Sequence, residues 1–594
     1  MKIFLAQQNY HIGNFEYNTK KIIEAIEEAK AQGGDLIVFS EQSVCGYPAR
    51  DFLEFADFIK KCYQSIDAIK EHADTIGVLV GSPARNPKVE GKDLFNAAFF
   101  LHQKQIKAEV HKTLLPTYDV FDEYRYFEPA AQWDIIEYMG KKLAVTVCED
   151  IWNIDDNPLY LTCPMDELMK QQPDIMINLS ASPFDYLHEE SRRDVIRKNV
   201  MQYKLPLIYC NAVGSQTEIV FDGASVTYNK KGEVCKALPS FAEALDFVIF
   251  DNDDIVAEES EQETRHKIQD SSIKIQETRK KTQETRDKQE ETEHKTQEYM
   301  SQNEPANITT LQASRNIRQV HQALVMGIKD YFIKMNFREA IIGSSGGIDS
   351  AVTLALACEA LGKENVRAVL MPSPYSTGHS VDDAVKLSEN LQNPYNIIRI
   401  NDVYETFLQT LHPIFGDLPF SVAEENLQSR TRGNILMAIA NKFNLILLNT
   451  SNKSELSTGY GTLYGDMAGG LGVLGDCYKT QVYELVKYIN RDGEIIPANI
   501  IHKAPSAELR PDQKDSDSLP DYDVLDKILF QYIERRQGPA EIKAQDFDAH
   551  LVDRTLSLVN RNEYKRNQFC PIIRISPKAF GVGRRMPIVG KYLS

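Results

Sequence analysis

The sequence predicts an α/β protein built from two units, and three observations carry this prediction. Short, nearly continuous apolar runs alternate with amphipathic helical periods along most of the chain, which is typical of sheets covered by helices. One polar segment, 258–303, cannot form a core and therefore separates an N-terminal unit, 1–257, from a C-terminal unit, 304–594. The 594 residues, of which 42% are hydrophobic, suffice for more than one core.

Composition excludes several classes of protein. The net charge of −18 argues against bulk affinity for nucleic acid or an anionic membrane, although a local basic pocket for a small anion stays possible. The longest apolar stretches fall short of the ~18 residues that a membrane helix needs, and the N-terminus turns polar too early for a secretory signal. Nine cysteines without a CxxC pair indicate reduced thiols. We therefore expect a cytoplasmic protein.

The N-terminal unit alternates strands and helices. Its two amphipathic helices are predicted over 17–32 and 52–69. Its predicted strands cover 2–7, 36–39, 76–81, 143–147, 175–179 and 207–210, with a hairpin formed by 97–102 and 108–111.

The C-terminal unit shows βα alternation that predicts a doubly wound parallel sheet. Helices are predicted over 313–334, 350–361 and 432–443, and strands over 340–342, 366–371, 397–400 and 445–448. In such a sheet a ligand binds at the carboxyl ends of the strands.

The polar segment carries a seven-residue repeat of glutamine, in which Glu290 takes one place. Glutamate precedes lysine by four residues at Glu263–Lys267, Glu277–Lys281, Glu284–Lys288 and Glu291–Lys295, the orientation that stabilises a helix by ~0.2–0.5 kcal/mol per pair. Isoleucine fills only two positions of the matching stripe, too few for a coiled-coil seam. We predict a solvent-exposed, partly helical insertion that contributes to neither active site, with a docking arm for a partner as the alternative.

A glycine loop follows the strand 340–342 and precedes a helix. It consists of Gly343, Ser344, Ser345, Gly346, Gly347, Ile348, Asp349 and Ser350. Backbone amides exposed at a helix N-terminus bind phosphate, and Asp349 offers an oxygen ligand to Mg²⁺. The loop lacks the lysine of a Walker A motif. It resembles the pyrophosphate-binding loop of the ATP-pyrophosphatase (PP-loop) superfamily.

Further blocks at 425–433, 449–456, 459–466, 479–483, 502–509 and 562–566 closely resemble NAD⁺ synthetases. The resemblance implies that ATP adenylates a nicotinate carboxylate and that ammonia then displaces AMP. It implies that the glycine loop and Thr450 bind ATP, that Asp349 and Glu455 bind Mg²⁺, and that the substrate deamido-NAD⁺ contacts Asn426, Arg430, Glu455, Lys479 and Lys565. Lys453 and Arg566 are further candidates for neutralising phosphate charge.

Three polar side chains at strand or loop ends of the N-terminal unit suit amide hydrolysis. Cys148 provides a nucleophile, Glu41 a base and Lys112 a cation for the oxyanion. A lone cysteine after an apolar strand is usually a core residue, but the glutamate and lysine at the other strand ends favour catalysis.

This set resembles the nitrilase (carbon–nitrogen hydrolase) superfamily, and specifically the glutaminase domain of glutamine-dependent NAD⁺ synthetases. The resemblance implies a four-layer αββα sandwich over roughly 1–250, glutamine contacts from Tyr118 and Ser182, and support of Lys112 by Glu123. The family usually has lysine or arginine where this chain has His188. Either Arg192 or Arg193 then substitutes, or glutamine binds more weakly.

We therefore expect a ligase that hydrolyses glutamine and amidates deamido-NAD⁺ with ATP and Mg²⁺. Full-length members of such a family are often homo-oligomers. The alternatives are another PP-loop amidotransferase, a nitrilase-type amidase, which would leave the C-terminal half unexplained, and a non-catalytic binding protein that retains both folds.

Overall fold

The computed structural model describes residues 1–154, 159–256 and 314–590, apart from residues 377, 507, 512, 514 and 518. The predicted heptad segment lies outside the described residues. No helix within these described ranges is long and apolar enough to cross a bilayer.

The N-terminal unit contains fifteen strands and four helices within its described residues. The strands are β1 (Lys2–Gln7), β2 (Leu36–Val38), β3 (Gly77–Arg85), β4 (Leu94–His102), β5 (Gln105–His111), β6 (Ile136–Tyr138), β7 (Lys141–Val147), β8 (Ile175–Ser180), β9 (Leu207–Asn211), β10 (Val213–Gln216), β11 (Ile219–Asp222), β12 (Val226–Tyr228), β13 (Val234–Ala237), β14 (Ala244–Asp251) and β15 (Asp254–Val256). The helices are α1 (Phe15–Ala31), α2 (Ala56–Lys70), α3 (Pro164–Met169) and α4 (His188–Tyr203).

These elements form a four-layer sandwich. A seven-stranded sheet has the order β15-β14-β1-β2-β3-β4-β5, and a six-stranded sheet has the order β13-β12-β9-β8-β7-β6. The two sheets share one apolar core, which includes Leu5 and Leu36 of the first sheet and Val145 and Ile177 of the second. Helices α1 and α2 cover the outer face of the first sheet, and α3 and α4 cover that of the second. The predicted αββα fold is confirmed.

The C-terminal unit contains a five-stranded parallel sheet of β16 (Ala340–Gly343), β17 (Val366–Leu370), β18 (Tyr395–Ile397), β19 (Ile446–Asn449) and β20 (Leu471–Gly472). Its helices are α5 (Ser314–Lys334), α6 (Ile348–Leu361), α7 (Gly378–Leu391), α8 (Asn401–Phe415), α9 (Val422–Phe443), α10 (Lys453–Thr458), α11 (Lys479–Ile489), α12 (Ala498–His502), α13 (Tyr522–Ile533), α14 (Pro539–Lys543), α15 (Ala549–Arg561) and α16 (Glu563–Arg566).

The strand order β18-β17-β16-β19-β20 is that of a doubly wound sheet, as predicted. Helices α5, α6 and α11 pack on one face, and α9 packs on the other. The strands all run parallel, but the order in which the chain adds them to the sheet reverses between β16 and β19. The predicted glycine loop follows β16 and Thr450 follows β19, so both lie where such folds bind ligands.

Three differences between the predicted and the observed elements have a clear structural cause. The helix predicted over 52–69 is interrupted at Phe55, whose extended backbone separates a 3₁₀ turn from α2. The strand predicted over 397–400 ends at Ile397, because its partner β17 ends at Leu370 and helix α8 begins at Asn401. The helix predicted from 432 begins ten residues earlier, because Ser421 and Glu424 form a capping box at its start.

The two units pack against each other through buried groups. Helix α5 lies against the hairpin β10–β11, where the Asp330 carboxylate accepts hydrogen bonds from the Asn9 side chain and from the Ser215 amide. Phe184, Tyr186 and Val220 of the N-terminal unit belong to the main core of the C-terminal unit. The C-terminal unit thus stabilises loops of the N-terminal unit directly.

Two candidate catalytic sites

The first site lies where the two N-terminal sheets present the ends of their strands. Cys148 follows β7, Glu41 follows β2, and Lys112 follows β5. The fold therefore brings the three predicted catalytic residues together from three separate segments. Asp150 fixes two of these segments to each other, because its carboxylate accepts hydrogen bonds from the amides of Thr113, Leu114 and Val147.

Lys112 is the centre of the hydrogen-bond network. Its Nζ lies 2.8 Å from Oε1 of Glu41 and 2.8 Å from Oε1 of Glu123, and its side chain is fully buried. Although burial alone would lower the pKa of Lys112, the charges of Glu123 and Glu41 raise it, so the ammonium is retained. The predicted support of Lys112 by Glu123 matches this geometry. Tyr47 and Asn96 donate further hydrogen bonds to Glu123.

Cys148 needs a base to become a nucleophile. Burial, and after it the Glu41 charge, raises the pKa of the Cys148 thiol well above its ordinary value. The thiol is therefore protonated at rest, so its attack requires a proton acceptor, which is the role predicted for Glu41. Burial also raises the pKa of Glu123 to about 7, with a further contribution from Glu41.

The predicted glutamine contacts Tyr118 and Ser182 lie on two separate loops. The Tyr118 hydroxyl donates to Oε1 of Glu149 at 2.8 Å, and Oγ of Ser182 lies 2.9 Å from Nε2 of His188. The His188 ring stacks on Trp152 with centroids 5.0 Å apart. The geometry adds Glu149, which also accepts a hydrogen bond from Tyr160 and which the sequence analysis missed. The only indication of Glu149 in the sequence is that an acidic residue directly follows the predicted nucleophile.

His188 does not carry positive charge here. Burial and the nearby charges of Arg192 and Arg574 lower its pKa to about 3, so the imidazole is neutral. Arg192 does not substitute, because both of its terminal nitrogens bind the Asp222 carboxylate at 2.9 and 2.6 Å. Arg193 pairs with Glu189 at 2.9 Å. Neither arginine that the sequence suggested is positioned as a replacement.

The second site is a cavity of about 280 Å³ at the carboxyl ends of β16 and β19. All of the predicted ATP-binding residues except Gly346 line it, and so do Glu455 and Lys479, which were predicted to contact deamido-NAD⁺. Gly346 has a φ of +77°, and a Cβ there would lie 2.2 Å from the carbonyl oxygen of Ser380. The loop therefore keeps its close approach to the neighbouring backbone only with glycine at this position.

Two carboxylates and one lysine face each other in this cavity. Nζ of Lys479 lies 2.5 Å from Oδ2 of Asp349 and 4.0 Å from Oε1 of Glu455. Burial, and after it the Asp349 charge, raises the pKa of Glu455 well above its ordinary value. Asn452 donates to Asp349 at 3.0 Å and caps the helix that carries Glu455. Because the two carboxylates outnumber the lysine, binding of a further cation between them would be electrostatically favourable.

Asn426, Arg430 and Lys565 do not line this cavity. They converge instead on the adjacent segment 459–463. Asn426 accepts a hydrogen bond from Thr462, Arg430 donates to the Leu463 carbonyl at 3.2 Å, and Lys565 donates to the Gly459 and Gly461 carbonyls at 2.8 and 2.9 Å. Tyr460 of the same segment does line the cavity. The three residues thus surround one loop beside the cavity.

Two of the basic residues suggested by the sequence are structural. Lys453 is fully buried and binds Asp476 and Glu534 at 2.9 and 2.7 Å. Arg566 is buried and donates to the carbonyls of Leu456 and Ser457. The expectation that they neutralise phosphate charge is wrong, because their side chains are committed to other partners. The geometry adds Arg432 and Lys503, which line the cavity and lie within the sequence blocks already noted.

Metal ligands are sparse in the described part of the chain, where no group of three or more His, Cys, Asp or Glu side chains could hold an ion. Asp349 and Glu455 nevertheless fit Mg²⁺ as two oxygen ligands, because this ion commonly takes one or two carboxylates and completes its shell with water and substrate phosphates.

Comparisons with known proteins match both halves of the chain. Residues 2–255 match the carbon-nitrogen hydrolase family model, and residues 320–569 match the NAD synthase model. A glutamine-dependent NAD(+) synthetase of Synechocystis is 41% identical over 99% of this chain and 98% of its own length. A glutamine-dependent NAD(+) synthetase of Thermotoga maritima is 39% identical over 100% of this chain and 99% of its own length.

Solved structures agree with this match. A glutamine-dependent NAD⁺ synthetase of Acinetobacter baumannii, in complex with adenosine diphosphate, is 37% identical with a TM-score of 0.72 over 100% of this chain and 99% of that one. A glutamine-dependent NAD(+) synthetase of Cytophaga hutchinsonii is 17% identical with a TM-score of 0.76, over 100% of this chain and 98% of that one, and supports the fold alone.

Proposed function

The chain belongs to the glutamine-dependent NAD(+) synthetases, and from this premise we propose that it converts deamido-NAD⁺ to NAD⁺ with ATP and with ammonia from glutamine. One observation carries the proposal. A buried Cys148–Glu41–Lys112 site and a phosphate-binding loop above a doubly wound sheet occur in the same chain. Neither site by itself accounts for the other half of the chain.

In the N-terminal site, Glu41 accepts the Cys148 proton as the thiolate attacks the side-chain amide carbon of glutamine. Lys112 stabilises the oxyanion with its retained positive charge. Protonated Glu41 returns the proton to the leaving nitrogen, and ammonia departs from a thioester on Cys148. Glu41 then activates water, which cleaves the thioester and releases glutamate.

Glutamine recognition divides between the two loops near Cys148. Glu149 is a buried carboxylate held by the Tyr118 and Tyr160 hydroxyls, which suits it to the ammonium of the amino acid. Ser182, with neutral His188 beside its hydroxyl, faces the α-carboxylate. These assignments place Tyr118, Ser182 and His188 in binding, and Glu123 in support of Lys112.

In the C-terminal site, the loop 343–350 holds the phosphates of ATP through backbone amides at the start of α6. The substrate carboxylate attacks the α-phosphorus, pyrophosphate leaves, and ammonia then displaces AMP from the acyl adenylate. Lys479 shields the negative charge of the phosphates, and Thr450 borders the nucleotide. Asp349 and Glu455 would hold Mg²⁺, which neutralises phosphate charge when bound.

The dinucleotide substrate extends over the segment 459–463. Asn426, Arg430 and Lys565 hold this segment in place and offer polar and cationic groups beside it. All nine cysteines are free, which agrees with work in a reducing compartment such as the cytoplasm. We also propose that the chain forms a homo-oligomer and that it binds neither nucleic acid nor a membrane.

An assay of the full chain tests this function. NAD⁺ formation is measured from deamido-NAD⁺, ATP and Mg²⁺, first with glutamine and then with ammonium. Cys148→Ala should abolish the glutamine-driven rate and keep the ammonium-driven rate, whereas Asp349→Ala should lose both. If the unaltered chain makes no NAD⁺ from either nitrogen source, the proposed function is wrong.

A further inference from the structure

Asn96 is a fully buried residue of β4 that the sequence analysis did not single out. The antiparallel ladder between β4 and β5 pairs Ala97 with His111, and it continues where the Lys112 amide donates to the Asn96 carbonyl at 2.8 Å. Residues that lie opposite each other in such a ladder present their side chains on the same face. The sheet therefore places Asn96 beside Lys112 at the edge where the predicted catalytic residues meet.

The side chain of Asn96 binds the two glutamates of this site. Its Nδ2 donates to Oε1 of Glu41 at 2.6 Å and to Oε2 of Glu123 at 3.3 Å. The amide cannot be turned the other way, because its oxygen is an acceptor and would be repelled by both carboxylates. Within the described residues no group donates to Oδ1 of Asn96. The amide is thus committed to the glutamates and not to the surrounding backbone.

Asn96 and Lys112 each bridge the two glutamates. Nζ of Lys112 lies 2.8 Å from Oε1 of Glu41 and 2.8 Å from Oε1 of Glu123. Two carboxylates held this close in a buried site repel each other, and a single ammonium offsets only part of that repulsion. The amide adds two further N–H donors without adding a charge. The four side chains thus form one closed ring of hydrogen bonds.

This ring distinguishes the two carboxylate oxygens of Glu41. Oε1 accepts hydrogen bonds from Nζ of Lys112 and Nδ2 of Asn96, which together use both of its lone pairs. Among the described groups, Oε2 accepts a hydrogen bond from the Ala181 amide alone, at 3.0 Å. One lone pair of Oε2 is therefore left to take a proton. Ala181 directly precedes Ser182, the predicted glutamine contact.

Resting on the proposed function, we propose that Asn96 is a positioning residue of the glutaminase site, which together with Lys112 occupies Oε1 of Glu41 and so directs the proton of Cys148 to Oε2. In this step the S–H bond breaks, its electron pair stays on the sulfur, and the proton bonds to Oε2. The same oxygen then returns the proton to the leaving nitrogen. Asn96 acts through Glu41 and exchanges no proton itself.

The first test is Asn96→Leu, which keeps the size and branching of the side chain but removes both N–H donors. We expect the kcat for glutamine hydrolysis to fall roughly 10- to 100-fold, because Glu41 is no longer fixed as the proton acceptor. The KM for glutamine should change less than about twofold, because Asn96 acts on the acceptor and not on substrate binding. Glutamate release by the full chain measures both constants, and the ammonium-driven rate verifies that the C-terminal unit is folded.

A second variant and a matched control accompany this test. Asn96→Ala leaves space for water that can donate to Glu41, so its kcat should fall in the same direction but less. Asn18→Leu is the control, because Asn18 is equally buried but its Nδ2 donates to the backbone carbonyls of His11 and Val44 at 2.9 and 3.1 Å. This control should lose stability and keep its kcat near that of the unaltered chain.

A crystal structure of Cys148→Ser with glutamine bound identifies the oxygen. Oε2 of Glu41 should be the carboxylate oxygen nearest to the hydroxyl that replaces the thiol. Oε1 in that place would overturn the inference. It would also be overturned by an unchanged kcat with Asn96→Leu (or with Asn96→Ala, should the leucine variant not fold), by a rise in KM alone, or by an equal loss of kcat with Asn18→Leu. Failure of the proposed function is distinct, because the unaltered chain would then make no NAD⁺ from glutamine.

Discussion

Nζ of Lys112 and Oε1 of Glu41 lie 2.8 Å apart, and both side chains are fully buried. Glu41 reaches a second segment, because its Oε2 accepts a hydrogen bond from the Ala181 amide at 3.0 Å. One carboxylate thus joins the lysine of one strand end to the loop that carries Ser182. This geometry holds the proton acceptor in one orientation before glutamine binds.

Removal of the Lys112 charge should disable glutamine hydrolysis. Lys112→Met should lower the glutamine-driven kcat on the order of 100-fold or more, because the oxyanion loses its cation. It should also lower the free energy of unfolding by about 3–5 kcal/mol, because Glu41 and Glu123 remain buried without their partner. Steady-state rates and urea unfolding measure both. Lys107→Met, on the exposed part of β5, is the matched control, and equal rates for the two variants would contradict the assignment.

The glycine loop should tolerate no side chain at position 346. In Gly346→Ala the new Cβ would meet the backbone oxygen of Ser380 at 2.2 Å, and the φ of +77° is unfavourable for alanine. Synthesis of NAD⁺ should fall with both glutamine and ammonium, while glutamine hydrolysis measured alone should persist. Gly378→Ala has open space around its Cβ and should stay near the unaltered rate. Full synthesis by Gly346→Ala would show that the loop does not hold ATP.

The buried neutral His188 should make stability depend on pH. Its pKa of about 3 lies below the ordinary value, so the unfolded chain binds the proton first and the folded state loses stability as pH falls below about 6.5. Relative to His188→Asn, the unaltered chain should lose about 2 kcal/mol of unfolding free energy between about pH 7.5 and 5. Urea unfolding at both pH values measures this.

The control for that pH series is His550→Asn, which changes an exposed histidine. This control should reproduce the pH dependence of the unaltered chain. If His188→Asn does so as well, His188 is not held neutral in the folded state.

The polar insertion should be dispensable. Replacing 261–298 by a short Gly/Ser linker should leave the glutamine-driven and ammonium-driven rates near those of the unaltered chain, because its composition offers no core and every predicted site residue lies outside it. The two rates are compared on matched preparations. A selective loss of the glutamine-driven rate would instead mean that the insertion positions the two units for ammonia transfer.

The sequence by itself determined the properties that depend on neighbours along the chain. Apolar runs predicted the strands, and β1 has its predicted bounds because a short apolar run that is buried almost throughout is a local pattern. The glycine loop was recognisable for the same reason, since a strand, a turn and a helix N-terminus are contiguous. Cys148, Glu41 and Lys112 were found because each lies at a predicted strand or loop end, and strand ends meet at one edge of a sheet.

Only the tertiary structure determined which charged side chains belong to a site and which pair with structural partners. Lys453 and Arg566 lie in motifs but are buried against structural partners, whereas Glu149 binds the predicted glutamine contact Tyr118 without a recognisable sequence pattern. Lys453 lies 81 residues along the chain from its partner Glu534, and no local rule relates such positions. The function of a charged side chain is set by which partners reach it once burial has removed water, and that depends on long-range packing.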